Sequence, residues 1–208
     1  EKTTHPRYEV VIIDNQSRER ETMLWMDRIS RECGRVRILR YDRPYNFSAI
    51  CNFGVEHADG EIIGLINNDV EVISPGWLEE MAGQAWRTEI GCVGAKLYFG
   101  DGTIQHAGVI LGLDGIAVHV GYGLPRDFQD GHGRLALVQN YSAVTGAALL
   151  VRRGVYLELG GLDEENLAVT FNDVDFCLKA LRAGYRNLWT PYAELYHHES
   201  RSRGYDSS

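Results

Sequence analysis

The chain has 208 residues, 44% of them apolar and 24% charged, which suits one domain with a substantial core, or at most two small ones, and excludes a largely disordered chain. Lys and Arg number 21 against 29 Asp and Glu, a formal net charge of -8, so broad nonspecific binding to nucleic acid or to an anionic membrane surface is excluded. A phosphorylated ligand would have to be held by local charge or by a metal.

Taken in order, Tyr8 to Asp14 reads as a compact apolar strand ending on an acid, followed by the polar turn Asn15-Gln16-Ser17. Glu19 to Arg31 carries Met23, Trp25, Met26 and Ile29 at helical spacings, with Gly34 placed as a C-terminal cap. Val36 to Tyr41 is a second strand, and Asn46 to Ala58 a helix with Phe47, Ile50, Cys51 and Val55 inward. Ile62 to Ile66, apolar on both faces apart from Gly64, suits the buried centre of a mainly parallel sheet and stops on Asn67-Asn68-Asp69. Ser74 and Pro75 predict the N-cap and first turn of a helix reaching Trp86, and Ile90 to Leu97 a strand. The Gly-rich stretch from Phe99 to Gln139 predicts short strands and a long loop. A strand over Ala147 to Arg152 and a short helix from Gly154 to Leu159 follow. The last elements are a helix after Phe171, with Asn172 as cap and Gly184 as stop, and a strand over Arg186 to Tyr192. A disordered tail is expected over 201–208. This alternation predicts α/β architecture.

Four scattered cysteines, Cys33, Cys51, Cys92 and Cys177, show no C-x-x-C spacing, so reduced thiols in a cytosolic protein are expected rather than a zinc knuckle or a disulfide framework. No apolar run approaches the ~18 residues of a membrane span.

Three clusters stand at predicted element ends: Asp69, Asp173 with Asp175, and His197 with His198. In an open α/β sheet, the C-terminal edge of the strands is where ligands bind, which makes Asp69 a candidate metal ligand; a polar turn ending a strand explains Asn67 to Asp69 equally well. Oxygen donors with one imidazole suit Mn²⁺ or Mg²⁺. Asp173 and Asp175 also fit a purely structural role, in the first turn of a helix facing its positive end. Either histidine could equally be a surface or packing residue.

Eight segments in order, Glu9 to Ser17, Asn46-Phe-Ser with Asn52, Gly60 to Val72, Pro75-Gly-Trp-Leu78, Ile104-Gln-His-Ala-Gly108, Thr145-Gly-Ala147, Phe171-Asn-Asp-Val-Asp175 and Tyr196-His-His-Glu-Ser200, resemble the inverting family 2 glycosyltransferases. The resemblance is strongest to the rhamnosyltransferase-like bacterial members that build surface polysaccharides. It implies a GT-A fold, a mixed, mainly parallel central sheet with helices on both faces, and a metal-dependent transfer of a hexosyl or deoxyhexosyl group. The donor would be a UDP- or dTDP-linked sugar, the acceptor a glycan or lipid-linked glycan, and the cation Mn²⁺ or Mg²⁺, with no nucleic-acid partner.

By the same resemblance Asp14 contacts the nucleoside base, Asn46 and Asn52 line the nucleotide pocket with Asn67 and Asn68, and Asp69 and His197 hold the metal. Asp173 is the catalytic base, and Thr145, Gly146 and Asp175 lie in the acceptor and sugar region. The implied location is cytoplasmic, at the inner face of the plasma membrane. The strand at Tyr8 to Asp14 corresponds to the family's second, so residues 1–208 are expected to be a single, N-terminally truncated domain whose sheet is completed by a preceding segment or a partner subunit. Two other readings stay open: a non-catalytic nucleotide-sugar-binding or assembly module, and a nucleotidyltransferase, which needs a basic Gly-rich phosphate loop not found here.

Overall fold

The computed structural model describes residues 2–112, 116–129 and 131–198. The tail expected over 201–208, together with Glu199 and Ser200 of the last motif, lies outside them. Strand β1 (Val10–Asp14) runs parallel to β2 (Val36–Arg40), joined by helix α1 (Arg20–Glu32). Helix α2 (Phe47–His57) then leads into β3 (Ile62–Ile66), β4 (Val70–Val72), α3 (Trp77–Ala85) and β5 (Ile90–Tyr98). The Gly-rich middle contributes β6 (Ile104–His106), β7 (Val109–Leu111), β8 (Ala117–His119) and β9 (Gln139–Tyr141), and the chain closes with β10 (Ala148–Arg152), α4 (Arg153–Glu158), α5 (Asn172–Arg182) and β11 (Arg186–His197).

The main sheet has the order β3-β10-β5-β11-β4, with β6 on β5 and β9 on β11. It is mixed: β5 and β11 are parallel, whereas β10 is antiparallel to both β3 and β5, and β4 to β11. The period-2 alternation of β10 decides the two faces. Leu149 and Val151 join Val55, Val155, Tyr156 and Phe176 of the helices on one side. Ala148 and Leu150 join Trp77, Met81 and Ala85 of α3 on the other. Each fully buried Met81 or Phe176 removes enough apolar surface to stabilise the fold by about 1.5–3 kcal/mol.

Several sequence expectations shift here. β3 is not central: it ends the path, with Gly64 and Ile66 exposed. The cap of α3 is Gly76 rather than Ser74, because the Ser74 side chain accepts from Glu194 N at 2.7 Å and donates to Glu194 O at 3.3 Å. Asn172 is the first residue of α5 and not its cap, which is Phe171 in the left-handed region at φ 60°. Gly34 is not the cap of α1, whose C-cap is Cys33.

The last strand runs on through Pro191 to His197. Proline has no N–H for the ladder, and the register with β5 shifts between Trp189 and Glu194. Before the shift β11 pairs with β9, and after it with β4, bringing His197 opposite Val70.

Candidate active site

A cleft of about 2680 Å³ opens at the edge of the main sheet. That exceeds the ~300–1,000 Å³ of a typical small-molecule site, and its wall has two characters. One part is a slot between β1 and β3, lined by Val10 to Ile13 and Ile62 to Ile66, with Trp25, Met26, Ile50, Cys51, Ala82 and Trp86 around it. The other is polar, formed by Asn67, Asn68, Asp69, His119, Thr145, Gly146, Asp173 and His197.

The polar part is built where strands end. Asn67 N–H donates to Ala147 O across the β3–β10 ladder at 2.9 Å, and the chain then turns so that Asp69 lies beside β11. Asp69 Oδ1 is 3.1 Å from His197 Nε2. It is buried and accepts no hydrogen bond among the described residues. The other ring nitrogen, His197 Nδ1, is 2.8 Å from Gln105 Oε1, and Gln105 Nε2 donates back to His197 O at 3.4 Å. A carbonyl oxygen only accepts, so the proton sits on Nδ1 and the neutral ring turns its lone pair toward Asp69. Asn67 Nδ2 lies 3.2 Å from the same Nε2.

The Asn67 amide can donate to the neutral Nε2, and two further arrangements bring that nitrogen and a carboxylate oxygen to this distance. Either the ring gains a second proton and donates it to Asp69, or a cation takes the proton's place between them. The orphaned oxygen and the oxygen-plus-imidazole donor set fit a hard or borderline divalent ion. Among the described residues no group of three or more His, Cys, Asp and Glu side chains surrounds such an ion, so its remaining ligands would have to come from a bound molecule or water. His198 faces elsewhere: its ring stacks on Tyr196, its Nε2 lies 3.1 Å from Glu71 Oε2, and it is not in the cleft wall.

Also in the cleft wall, Asp173 sits in the first turn of α5. Its Oδ2 accepts Gly146 N–H at 2.7 Å and its Oδ1 accepts its neighbour Val174 N–H at 2.8 Å, so the carboxylate has one orientation. An added Cβ at Gly146 would stand 3.3 Å from Asp173 Cβ, a tight approach between the two segments. Thr145 N–H, one residue earlier, points at His106 Nε2 at 3.4 Å, and His106 Nδ1 meets His119 Nδ1 at 2.9 Å. His106 is fully buried, and burial, followed by the charges of His119 and His197, pushes its pKa well below the ordinary histidine range.

Other residues singled out in the sequence serve the frame. Asp14 Oδ1 accepts Ser17 N–H at 3.0 Å, closing the turn after β1. Asn46 caps α2 through Ala49 N and donates to Glu164 O. Asn52 accepts from Tyr156 OH and Leu162 N and donates to Leu162 O. Asp175 pairs with Lys179 one turn along α5 at 2.9 Å. None of these four is in the cleft wall, whereas Asn67, Asn68, Asp69, Thr145, Gly146, Asp173 and His197 are brought together there. His119 is the wall residue that sequence reasoning missed, since it lies in the aperiodic Gly-rich stretch; Gln105 and His106 stood in a quoted motif without a role.

The order of strands, the helices on both faces and a polar site at the strand ends define a GT-A glycosyltransferase fold. A solved structure of GalNAc-T7 with UDP, GalNAc and Mn²⁺ superposes with a TM-score of 0.73 at 18% identity, covering 91% of this chain and 37% of that one. Residues 1–155 match the model of glycosyl transferase family 2, and the chain belongs to that family. An uncharacterized protein of Sinorhizobium fredii, y4gI, is 50% identical over 207 residues, and the O-antigen biosynthesis protein RfbC of Myxococcus xanthus is 38% identical over 211. Those alignments take in 100% and 99% of this chain but only 23% and 16% of the two relatives. The four cysteines are free, and no described helix is long and apolar enough to cross a membrane.

Proposed function

We propose that this chain is the transferase domain of a metal-dependent, inverting glycosyltransferase that moves a sugar from a UDP- or dTDP-linked donor to a glycan or lipid-linked glycan acceptor in surface-polysaccharide synthesis. The carrying observation is the pair Asp69 Oδ1 and His197 Nε2, 3.1 Å apart, with the oxygen orphaned, in a cleft whose wall also holds an oriented Asp173. The O-antigen name of one relative and the UDP and Mn²⁺ bound in the structural neighbour support the same reading.

Asp69 and His197 would hold Mn²⁺ or Mg²⁺. Such an ion would neutralise charge on a departing nucleoside diphosphate, which an acidic chain would otherwise repel; at an effective dielectric near 20, two unit charges ~4 Å apart interact by roughly 4 kcal/mol. Asn67 and Asn68 supply amide donors to the diphosphate side. Asp14, Asn46 and Asn52 shape the turns bordering the nucleotide region. Asp173 takes the acceptor hydroxyl proton on a carboxylate oxygen as that hydroxyl attacks the anomeric carbon, and the bond to the diphosphate breaks on the opposite face, inverting the centre. Thr145 and Gly146 form the wall beside the sugar, with Asp175 holding α5 behind it. A protein that takes nucleotide-linked donors would work in the cytoplasm, at the inner face of the plasma membrane.

We read 1–208 as one domain whose sheet takes one further strand in the slot between β1 and β3, supplied by a preceding segment or a partner subunit. Each of those strands is paired along one edge only among the described residues, and the helices around the slot bring apolar side chains to it. Faster amide exchange of β1 and β3 in residues 1–208 than in the full-length protein is expected; equal exchange would overturn this.

The functional test is calorimetric binding of UDP and dTDP with and without Mn²⁺, on the chain and on Asp69→Ala. Metal-dependent binding that disappears in the variant is expected. Nucleotide binding with no transfer from any donor would favour the non-catalytic module.

A further inference from the structure

Gln105 and His106 are consecutive residues of β6, both polar and both buried, at 5% and 0% exposure. Burying a polar side chain costs stability unless its hydrogen bonds are made, so their partners reveal what they do. Gln105 faces His197. His106 faces Thr145 N–H on one ring nitrogen and His119 on the other. The strand carrying them is fixed from several directions: Leu97 pairs with His106, Ile104 N–H donates to Leu124 O, and Gly123 N–H donates to Ile104 O. Gly108, at the end of the same segment, has φ +103°, and a Cβ there would fall 2.1 Å from the Tyr141 ring, so the backbone is held tight just beyond the pair.

Proton bookkeeping assigns both rings. A backbone N–H can only donate, so His106 Nε2 accepts from Thr145, the His106 proton is on Nδ1, and it is donated to His119 Nδ1. On the other side Gln105 Oε1 can only accept, so neutral His197 carries its proton on Nδ1 and keeps Nε2 for the Asp69 side.

We propose that Gln105 and His106 are positioning residues that set the two halves of the active site from one strand. Gln105 fixes the ring orientation and tautomer of His197, and His106 fixes the Val144–Thr145 peptide, next in the chain to the Gly146 N–H on which the Asp173 carboxylate rests. The inference rests on the function proposed above for Asp69, His197 and Asp173, but the ring assignments can be measured without any ligand. Partners of this kind behind a metal-binding histidine are worth ~10–100-fold in affinity.

The test begins with ¹⁵N NMR of the histidine rings in the wild-type chain. The neutral rings of His106 and His197 are expected to carry the proton on Nδ1; an Nε2–H tautomer at either residue overturns the corresponding half, whether or not a variant folds. Four variants that retain cooperative melting then separate the halves. Gln105→Leu should weaken Mn²⁺-dependent UDP binding ~10–100-fold, and Gln105→Glu, which keeps an acceptor oxygen, should restore it. His106→Asn keeps a polar atom toward His119 but withdraws from Thr145, so the Gly146 amide should lose its downfield shift and its exchange protection while UDP affinity is unchanged. His106→Gln, long enough to reach Thr145 N–H, should retain both. Equal behaviour of the two variants within either pair overturns the assignment. If neither this chain nor the chain completed by the segment that fills the slot binds Mn²⁺ and UDP, the functional reading fails, and the ring tautomers and the Gly146 amide still decide the positioning.

Discussion

Asp173→Asn separates the structural duty of this carboxylate from its chemical one. The carboxylate accepts two backbone N–H groups, from Gly146 at 2.7 Å and Val174 at 2.8 Å. An amide has one oxygen, so whichever way it is turned an NH₂ faces one of those donors. Losing one hydrogen bond to a charged group costs roughly 1.5–3 kcal/mol, and losing a negative charge in the first turn of α5 adds ~0.3–1 kcal/mol. The sum, about 2–4 kcal/mol, corresponds to a melting-temperature drop on the order of 10 °C for a chain of this size. The rate effect is separate: removing a general base lowers transfer by ~10²–10⁴-fold, about 3–5 kcal/mol of barrier. Scanning calorimetry reads the first quantity. Nucleotide release from a donor chosen by binding, normalised to folded protein, reads the second. A destabilised variant with undiminished turnover per folded molecule would refute the base assignment and leave Asp173 a structural anchor of the Gly146 turn.

Asp175→Ala removes only a half-exposed pair with Lys179, so a stability loss of about 0.3–0.5 kcal/mol with full transfer is expected; a large loss of turnover at unchanged melting would give Asp175 the role assigned to Asp173. Gly108→Ala forces a side chain into the Tyr141 ring at a positive φ, and a drop of several kcal/mol, on the scale of overpacking plus backbone strain, should show in denaturant melts. His106 is held below the ordinary histidine range by burial and by His119 and His197. Between that depressed value and the ~6.5 of the unfolded chain the unfolded state binds the extra proton, so stability is full above about pH 6.5 and falls as pH drops through the window, by at most ~1.4 kcal/mol per pH unit. Melts across this range should show the slope in wild type and its reduction in His106→Gln; a flat wild-type profile would contradict it.

Much of this arrangement is written in local patterns. The apolar runs of β1, β3 and β10, the inward positions of α2 and the acid-rich start of α5 follow from periodicity and helix-end chemistry, and the family resemblance brought Asp69, Asp173 and His197 to one cleft. What escaped was decided by distant partners. Ser74 has the composition of a cap, but Glu194, far along the chain, captures its hydroxyl. Asp14, Asn46 and Asn52 have polar side chains at element ends, and their bonds to nearby backbone and to Tyr156 are not legible in the local pattern. β3 has the composition of a central strand because it borders an apolar slot. His119 is contributed by a stretch with no period, and its pairing opposite Val109 and its contact with His106 bring it to the cleft.

The interruption around Pro191 has a consequence for tolerance to change. Because side chains alternate along a strand, adding one residue between Trp189 and His197 would slide Tyr196 into the place of His197 opposite β4. The imidazole would leave Asp69 and a phenol would take its place, although every residue of the site remained in the sequence. Length along this stretch is therefore a chemical specification in its own right, counted in single residues.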